Sequence, residues 1–549
     1  MLIYKYLSLI ISVFCSISLY SQVSEGGIPT SFSIQGLSTI IPTSTVSSQQ
    51  PPIDTPIIVT EYVYDSILNT VEVDSFTEDG SQTVGLNISK VIFLKTQSNV
   101  LSLPEGKLYR IRVTATNAKG IGFIFSNFSL PNGAKMYVYS PDSLFVLGAF
   151  TNINNNADNK LVTSILPYPS AIIEVFYPTG SDMLLSFKVT EVIYYFINDF
   201  FITPIPSSRV GAISSIDESC YGNVYCRTNY YGGIERSVMK WEYSKGNTRK
   251  VCSCALINQN VSGNEVKPYV LTANHCGDGA DLSTATFYFN YQYSRCLSSY
   301  LSPGFTTTGA TKKTSKSSTD MFLLELNNIP PADYNVFYAG WDHRDYPHGS
   351  GKLMLGIHHP KGVNKKYSEG WLQSNVLIDK WRVKWNRNSD RFTDNGSSGS
   401  PLFEDVNGRI IGQLSTGPIK TGCDKLKSRF IWRYGKIYRS WGNLEPYLDP
   451  TFSQTQLNGR IPCYNNLTLQ NRNFPNASDY QPDNFVKIQC SVDMLFSPKI
   501  FGTIFYPNRF NYGANYLFTA GNSITIDAGG IDIPLGCTVE FNIGACTEY

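Results

Sequence analysis

Charged side chains are scarce in this chain of 549 residues: Lys, Arg, Asp and Glu together make up 16% of it. The 45 Lys and Arg nearly balance the 43 Asp and Glu, so the net charge is +2. This balance excludes the broad basic surface that is typical of nucleic-acid-binding proteins. Beyond residues 1–21 no apolar run is long enough to cross a bilayer. The sequence therefore predicts neither a nucleic-acid partner nor a membrane span.

The first 21 residues have almost no charge and carry one apolar run. Lys5 is their only charged side chain, and the run from Leu7 to Leu19 is too short to span a bilayer comfortably. This pattern predicts a signal peptide over residues 1–21, and hence a protein that is secreted and could stay at the cell surface. A buried N-terminal helix is the alternative interpretation.

Cysteine is absent between Cys15 and Cys220, although the chain holds 12 cysteines in all. In an exported protein this clustering predicts disulfides confined to the middle and C-terminal parts. No paired CxxC motif, the common spacing of zinc ligands, exists in the sequence. The sequence therefore predicts no metal and no cofactor.

Aromatic residues are abundant, with 35 Tyr and 31 Phe, and they favour β-strands. The chain is too long for one compact core, so several domains are expected. Residues 22–209 are predicted to form a flexible segment and a β-rich, sandwich-like region, and residues 461–549 a small β-rich domain that contains cysteines. All five His and all seven Trp lie within residues 210–460. This concentration indicates that the chemistry resides in the middle domain.

Ser398 stands in a run of small residues, NGSSGSPLF, that ends in a predicted buried strand. A serine hydroxyl becomes a useful nucleophile only when a base takes its proton and donors stabilise the oxyanion. The small residues allow a sharp turn that would aim the backbone N–H groups of Gly396 and Ser398 at one point. Taken alone, such a run is also compatible with an ordinary loop.

The base has to be one of five histidines, which are His275, His343, His348, His358 and His359. His275 is favoured because it ends the apolar strand in LTANHC. The cysteine that follows it can bridge back to Cys254 and hold the imidazole in place. His358 and His359 are adjacent and would point to opposite faces of a strand, which favours a structural role.

Asp320 opens the apolar run DMFLLEL. An acid at this place either caps the end of a strand or orients the imidazole of a catalytic triad and fixes its tautomer. The chain order His, Asp, Ser favours the second interpretation.

Eight motifs of residues 210–460 occur in the order found in one protease family. The segment resembles the trypsin-like serine proteases, specifically the bacterial lysyl endopeptidase branch, through LTANHC, NYQYSRC, STDMFLLELN, FYAGWDHRD, GIHHP, NGSSGSPLF, IIGQLSTG and YGKIYRSW. The resemblance implies a mostly β, trypsin-like domain over 210–460, built from two six-stranded β-barrels with the site between them. It also implies a triad of His275, Asp320 and Ser398, and disulfides that pair Cys220–Cys423, Cys226–Cys296 and Cys254–Cys276.

The region that selects the substrate departs from the family. Trp432 stands where lysyl endopeptidases carry an Asp that meets the substrate lysine, and Phe392 stands at the trypsin-type position. Because neither can pair with an ammonium group, the sequence predicts a P1 preference other than Lys or Arg, either apolar or acidic. Asp424 could instead fold into the pocket and restore lysine specificity. The candidates for the S1 pocket are Phe392, Ser415, Thr416, Gly417 and Trp432.

The residue before the nucleophile is Ser397, where many trypsin-like enzymes carry an Asp that pairs with a newly freed N-terminus. Latency would therefore have to come from the N-terminal region lying on the protease domain, as in a precursor with a pro-region. Arg209 is a candidate processing site. The expected partners are protein or peptide substrates. A catalytically silent, secreted binding or adhesion protein on the same fold is the alternative function.

Overall fold

The structure is a computed structural model. It describes residues 28–33, 57–59, 80–181, 185–196, 221–227, 233–261, 267–293, 296, 305–345, 351–374, 377–386, 391–404, 407–418 and 431–464, and then 467–470, 485–490, 493–497, 499–501, 504–506, 508–509, 515–520, 523–526, 531–532 and 538–543. The predicted signal peptide, Arg209, the pair Cys220–Cys423 and Asp424 lie outside these residues.

The chain divides into two compact units. The N-terminal unit comprises Met1–Thr70 and Leu86–Phe196, and the second unit comprises Val71–Gly85 and Ile197–Tyr549. The short segment Val71–Gly85 thus groups with the second unit, although the N-terminal unit surrounds it in the sequence. The domain boundaries expected from the sequence stay a prediction.

The N-terminal unit contains two β-sheets around one core. Its strands are β1 (Ile57–Val59), β2 (Gln82–Phe93, whose first four residues group with the second unit), β3 (Asn99–Leu103), β4 (Gly106–Ala115), β5 (Gly120–Ser126), β6 (Lys135–Tyr139), β7 (Val146–Phe150), β8 (Lys160–Val162), β9 (Ser170–Pro178) and β10 (Lys188–Tyr195). One sheet has the order β1-β4-β9-β6-β7, with β3 beside β4, and the other the order β2-β10-β5-β8. Ile111 and Val175 of the first sheet share a buried cluster with Phe123 and Val192 of the second. The helical segments are α1 (Leu94–Gln97) and the 3-10 turns Thr30–Ser33 and Asn152–Asn154.

The first barrel of the second unit is antiparallel throughout. Its elements, with a short strand that precedes them, are β11 (Gly222–Asn223), β12 (Val238–Lys245), β13 (Thr248–Leu256), β14 (Tyr269–Ala273), α2 (Asn274–Gly277), β15 (Asp281–Phe289), β16 (Phe305–Thr308), β17 (Ala310–Lys316) and β18 (Met321–Leu326). The strand order is β16-β15-β12-β13-β14-β18-β17. Gly309 links β16 to β17. Its backbone N–H donates to the carbonyl of Ala285 in β15 at 2.8 Å, so the beginning of β17 is held near β15, at the other end of the strand order.

The second barrel is a closed ring. Its elements, with flanking strands, are β19 (Trp341–Asp342), β20 (Leu353–His358), β21 (Lys366–Leu372), β22 (Lys380–Trp385), β23 (Pro401–Glu404), β24 (Ile410–Thr416), β25 (Trp432–Lys436), α3 (Ile437–Leu448) and β26 (Gln456–Leu457). Six strands follow the order β23-β20-β21-β22-β25-β24, and β24 pairs again with β23. The remaining helical turns of this unit are Val224–Cys226, Ile234–Ser237, Ala332–Tyr334 and Pro360–Gly362. The prediction of a mostly β fold with β-barrels is confirmed.

Helix α3 packs against the barrels through one apolar face. Ile437, Trp441, Leu444 and Leu448 recur at helical spacing and are buried in the same cluster as Leu271 of the first barrel.

The C-terminal strands form small separate sheets. They are β27 (Cys463–Tyr464), β28 (Leu467–Gln470), β29 (Phe485–Cys490), β30 (Asp493–Ser497), β31 (Lys499–Phe501), β32 (Ile504–Tyr506), β33 (Asn508–Arg509), β34 (Asn515–Ala520), β35 (Ser523–Ile526), β36 (Ile531–Asp532) and β37 (Thr538–Ile543). The pairing is parallel in the orders β27-β29-β34-β37 and β28-β30-β35. Among all described residues, no helix has the length and apolar character that a membrane crossing requires.

Candidate active site

Two neighbouring strands place His275 beside Asp320. Strand β14 pairs with β18 so that Ala273 lies opposite Met321. His275 follows the end of β14, in α2, and Asp320 immediately precedes β18. Because the strands are antiparallel, the end of one meets the beginning of the other, and the two side chains emerge at the same edge.

The carboxylate of Asp320 is bonded to both the ring and the backbone of His275. Its Oδ2 lies 2.7 Å from Nδ1 of His275, and its Oδ1 accepts the backbone N–H of His275 at 2.9 Å. Asp320 has a left-handed backbone with φ of 60°, a conformation that Asp tolerates better than most residues. Its backbone carbonyl also accepts the N–H of Asn274 at 2.9 Å. The imidazole is therefore held in one orientation, with Nε2 directed away from the carboxylate.

The surroundings of Asp320 favour its ionised form. Burial alone raises the pKa of this carboxyl, but the hydrogen bond and charge of His275, with smaller contributions from Ser415 and Lys380, bring the pKa below its ordinary value. Nζ of Lys380 donates to Oγ of Ser415 at 2.8 Å. Burial lowers the pKa of Lys380, while the Asp320 charge opposes that shift. Lys380 was not predicted from the sequence, since nothing in KWRVKW distinguishes it from a surface lysine.

The Ser398 loop requires its two glycines. Gly396 has φ of +84°, and a Cβ there would lie 3.0 Å from the carbonyl oxygen of His359. Gly399 has φ of +80°, and a Cβ there would lie 2.1 Å from Oγ1 of Thr272. The turn therefore lies close to both barrels, because His359 follows β20 of the second barrel and Thr272 lies in β14 of the first.

Ser253 of β13 fastens the loop from the first barrel. Its backbone N–H donates to the carbonyl of Ser398 at 2.8 Å, and its hydroxyl donates to the carbonyl of Gly396 at 2.9 Å. The same hydroxyl accepts the N–H of His359 at 2.9 Å. Ser253 was not predicted from the sequence either, because its only distinctive feature there is its position between two cysteines.

The adjacent histidines lie beneath the loop. Nδ1 of His358 is 2.9 Å from the hydroxyl of Ser397, and its Nε2 is 2.9 Å from that of Ser368. Burial, helped by the nearby charge of Lys366, lowers the pKa of His358 to about 3. Burial likewise lowers the pKa of His359, whose Nδ1 lies 3.0 Å from the carbonyl of Val363. Both imidazoles are therefore neutral supports of the turn.

The two other histidine candidates take no part in the described site. The ring of His343 stacks on Trp441, with ring centroids 3.9 Å apart. His348 lies outside the residues that the structure describes.

A carbonyl group from a distant part of the chain lies at the centre of the site. The oxygen of Gly80 accepts the backbone N–H of Gly396 at 3.1 Å and the hydroxyl of Ser398 at 3.0 Å. Nε2 of His275 is buried and has no hydrogen-bond partner among the described residues. The structure thus joins His275 to Asp320, and joins Ser398 and the Gly396 amide through Gly80, but it does not join Ser398 to His275.

Aromatic rings fill the place expected for the S1 pocket. Phe392 and Trp432 are each 1% exposed, and their rings stack with an interplanar angle of 11°. A Cβ on Gly417 would lie 2.7 Å from Cδ1 and Nε1 of Trp432, so the indole lies directly against that backbone. Ser415 is buried, whereas Thr416 is exposed. Tyr221 belongs to the same buried cluster and donates its hydroxyl to Oδ2 of Asp394 at 2.8 Å.

One predicted disulfide is wrong. Cys226 bonds to Cys296 as predicted, but Cys276 bonds to Cys252, and Cys254 is free and buried. The register of β13 and β14 gives the reason. Ala255 lies opposite Leu271 in this antiparallel pair. Continued along the strands, the same pairing places Cys252 opposite the start of α2, whereas Cys254 lies two residues further from α2.

The described residues bring one group of metal-ligand types together. Atoms of Cys252, His275 and Cys276 lie within 4.8 Å of one another. Both cysteines are in the disulfide, which removes the thiolates that a metal ion would need.

Residues 215–429 match the family model described as lysyl endopeptidase, C-terminal domain. The lysyl endopeptidase of Pseudomonas aeruginosa is 34% identical over 187 residues, which make up 32% of this chain and 38% of that protein. The matched segment resembles the lysyl endopeptidases. The resemblance to trypsin-like serine proteases predicted from the motifs is therefore confirmed for residues 215–429. The chain spans well under half the length of the curated relative that it matches.

The likeness to solved structures is weak. The active form of the Rv3671c protease from M. tuberculosis covers 45% of this chain and 94% of its own, at 15% identity and a TM-score of 0.29. The scabies mite inactivated protease paralogue S-I1 covers 39% of this chain and 96% of its own, at 13% identity and a TM-score of 0.30. Such low TM-scores give no support for any particular activity.

Proposed function

We propose that this protein is a secreted serine endopeptidase, made as a precursor, that cleaves peptide bonds of proteins through Ser398, His275 and Asp320. One observation carries the proposal: the Gly80 carbonyl oxygen is reached both by the Gly396 amide, at 3.1 Å, and by the Ser398 hydroxyl, at 3.0 Å. Acyl transfer needs a nucleophile and an oxyanion donor that converge on one carbonyl group.

In the proposed reaction His275 takes the proton of Ser398 as Ser398 attacks the scissile carbonyl. Asp320 keeps the other ring proton on Nδ1, so that Nε2 is the basic nitrogen. The amides of Gly396 and Ser398 receive the developing oxyanion, and losing one such donor typically costs about 2.7–4 kcal/mol. His275 then protonates the leaving amine, and water hydrolyses the acyl-enzyme in the second half of the reaction.

We further propose that the P1 preference excludes Lys and Arg. The packing of Trp432 against Phe392 and Gly417 supports this, because a long basic side chain would have to displace a buried indole. The name of the Pseudomonas aeruginosa relative favours the second candidate, a lysine-specific endopeptidase. That candidate needs an acid in the pocket, and Asp424, which lies outside the described residues, could supply it.

Labelling with a fluorophosphonate tests the activity. The processed protein is expected to react at Ser398, and Ser398→Ala is expected to abolish the reaction. A matched control is Ser283→Ala, which changes a half-buried serine of β15. A folded and processed protein that never labels would contradict the endopeptidase and favour the silent binding protein.

Digestion of a peptide library, read by mass spectrometry, tests the specificity. Cleavage after residues other than Lys and Arg is expected. Cleavage strictly after Lys would reject the proposed preference while leaving the endopeptidase activity in place.

A further inference from the structure

A segment 318 residues before Ser398 in the chain lies at the centre of the site. Residues 71–85 group with the second unit, and among them Gly80 presents its carbonyl oxygen to Gly396 and Ser398. We propose that the active-site cleft binds the chain's own segment at Gly80, and that this segment blocks Ser398 and keeps it apart from His275. The identity of the cleft rests on the proposed function, whereas the contact itself does not.

The hydrogen bonds account for the block. A serine hydroxyl has a single proton, and that of Ser398 is donated to Gly80. Nε2 of His275 consequently has no partner in the described part of the chain, although it is buried. The base cannot take a proton that is directed elsewhere, so the nucleophile is not activated in this arrangement.

The position of the Gly80 Cα adds a steric barrier. A Cβ on Gly80 would lie 2.7 Å from Oγ of Ser398 and 3.7 Å from Nε2 of His275. The Cα of Gly80 is thus wedged beside both atoms, and its φ of +71° lies in the left-handed region that glycine adopts freely. Only glycine fits this place without moving the nucleophile.

The same geometry distinguishes the segment from a substrate. The hydroxyl of Ser398 points at the carbonyl oxygen rather than at the carbon that a nucleophile must attack. A side chain at residue 80 would be directed at Ser398 and His275 instead of at the rings of Phe392 and Trp432. The segment therefore occupies the donor site without offering its peptide bond for cleavage.

Ser81 supplies a second attachment. It is 1% exposed, and its hydroxyl accepts a hydrogen bond from Nζ of Lys250 in β13 at 3.2 Å. This bond lies next to the Gly80 contact and fixes the direction in which the chain leaves the cleft toward β2.

The test measures access to residue 398 without requiring catalysis. In a full chain carrying Ser398→Cys, iodoacetamide alkylation of the introduced thiol is followed by mass spectrometry, with and without Gly80→Ala. Because alanine is strained at this φ and collides with the nucleophile, Gly80→Ala is expected to speed alkylation by about 10- to 100-fold. The matched control is Gly180→Ala, which has a similar φ of +83° but nothing within 4 Å of an added Cβ, and it should leave the rate unchanged.

A second variant and a second readout separate the outcomes. Ser81→Ala removes the hydrogen bond from Lys250 and should speed alkylation by a smaller factor. If circular dichroism shows that Gly80→Ala does not fold, the rate of Ser81→Ala decides whether the segment blocks residue 398. Equal alkylation rates with and without these changes would overturn the block, even if the chain hydrolyses peptides. Faster alkylation without any peptide hydrolysis by the Gly80→Ala chain that retains Ser398 would support the block and reject the proposed activity instead.

Discussion

Each unit contains a buried carboxylate, Glu174 in the first and Asp320 in the second. The two differ in whether the side chain bonded to them has a ring nitrogen or hydroxyl left without a hydrogen bond. In the N-terminal unit both oxygens of Glu174 are bonded: Ser31 donates its N–H and its hydroxyl, and Tyr139 donates its hydroxyl at 3.0 Å. Tyr139 in turn accepts from Arg110 at 3.1 Å. In the second unit Asp320 is bonded to His275, and Nε2 of His275 has no hydrogen-bond partner among the described residues.

This difference separates a structural cluster from the proposed catalytic one. Burial first, and then the charge of Glu174, raise the pKa of Tyr139, so the phenol keeps the proton that it donates. Each member of the Glu174 cluster is therefore hydrogen-bonded to another member of the cluster. The pair of His275 and Asp320 instead ends on a basic nitrogen that faces Ser398 and Gly80. Removing a member should cost stability in the first cluster and activity in the second.

Asp320→Asn should produce the largest effect, a loss of peptide hydrolysis. Without that loss, the contrast between the Glu174 cluster and the pair of His275 and Asp320 would fail. An amide cannot hold the imidazole in the required tautomer, so peptide hydrolysis should fall by about 10⁴-fold. The measurement is kcat/KM on a peptide that the library digest identifies. Asp278→Asn, which changes an exposed carboxylate just after α2, is the control and should keep full activity. Unchanged hydrolysis by Asp320→Asn would remove Asp320 from the mechanism.

Glu174→Gln should act on stability rather than on chemistry. Breaking a buried pair leaves the charge of Arg110, 3.5 Å from Glu174, without its counterion, and the loss is expected to be about 3–5 kcal/mol. Urea unfolding of the full chain measures it, with the exposed Glu105→Gln as the matched control. A transition that coincides with that of the wild type would show that the Glu174 cluster is not the structural one.

His358→Gln is expected to change only how the stability depends on acid. The folded pKa of His358 is about 3, below the ordinary 6.5, so the unfolded chain binds more protons between these values. Stability is thus fully present above pH 6.5 and is lost as the pH falls toward 3, with a ceiling of about 5 kcal/mol from this residue. His358→Gln should flatten the fall in the unfolding midpoint over this window, whereas the half-buried His343→Gln should not. A steeper fall in His358→Gln would contradict the neutral role.

Short-range patterns predicted much of the second unit. LTANHC and DMFLLEL indicated two strands with polar ends, and β14 and β18 pair so that those ends meet. The small residues around Ser398 indicated a tight turn, and the positive φ of Gly396 agrees with one. Cys254–Cys276 was predicted wrongly because the choice between two cysteines on one face of β13 depends on the register with β14, which no local pattern contains.

The amino-acid order alone determined the β-rich character, the resemblance to lysyl endopeptidases and the identity of the three candidate catalytic side chains. These follow from side-chain alternation and from motifs that each span fewer than a dozen residues. Only the tertiary structure decided that Lys380 and Ser253 support the site, that Trp432 packs on Gly417, and that Gly80 lies against Ser398. Such contacts join residues far apart in the chain, and their distances depend on how the barrels close rather than on neighbouring residues.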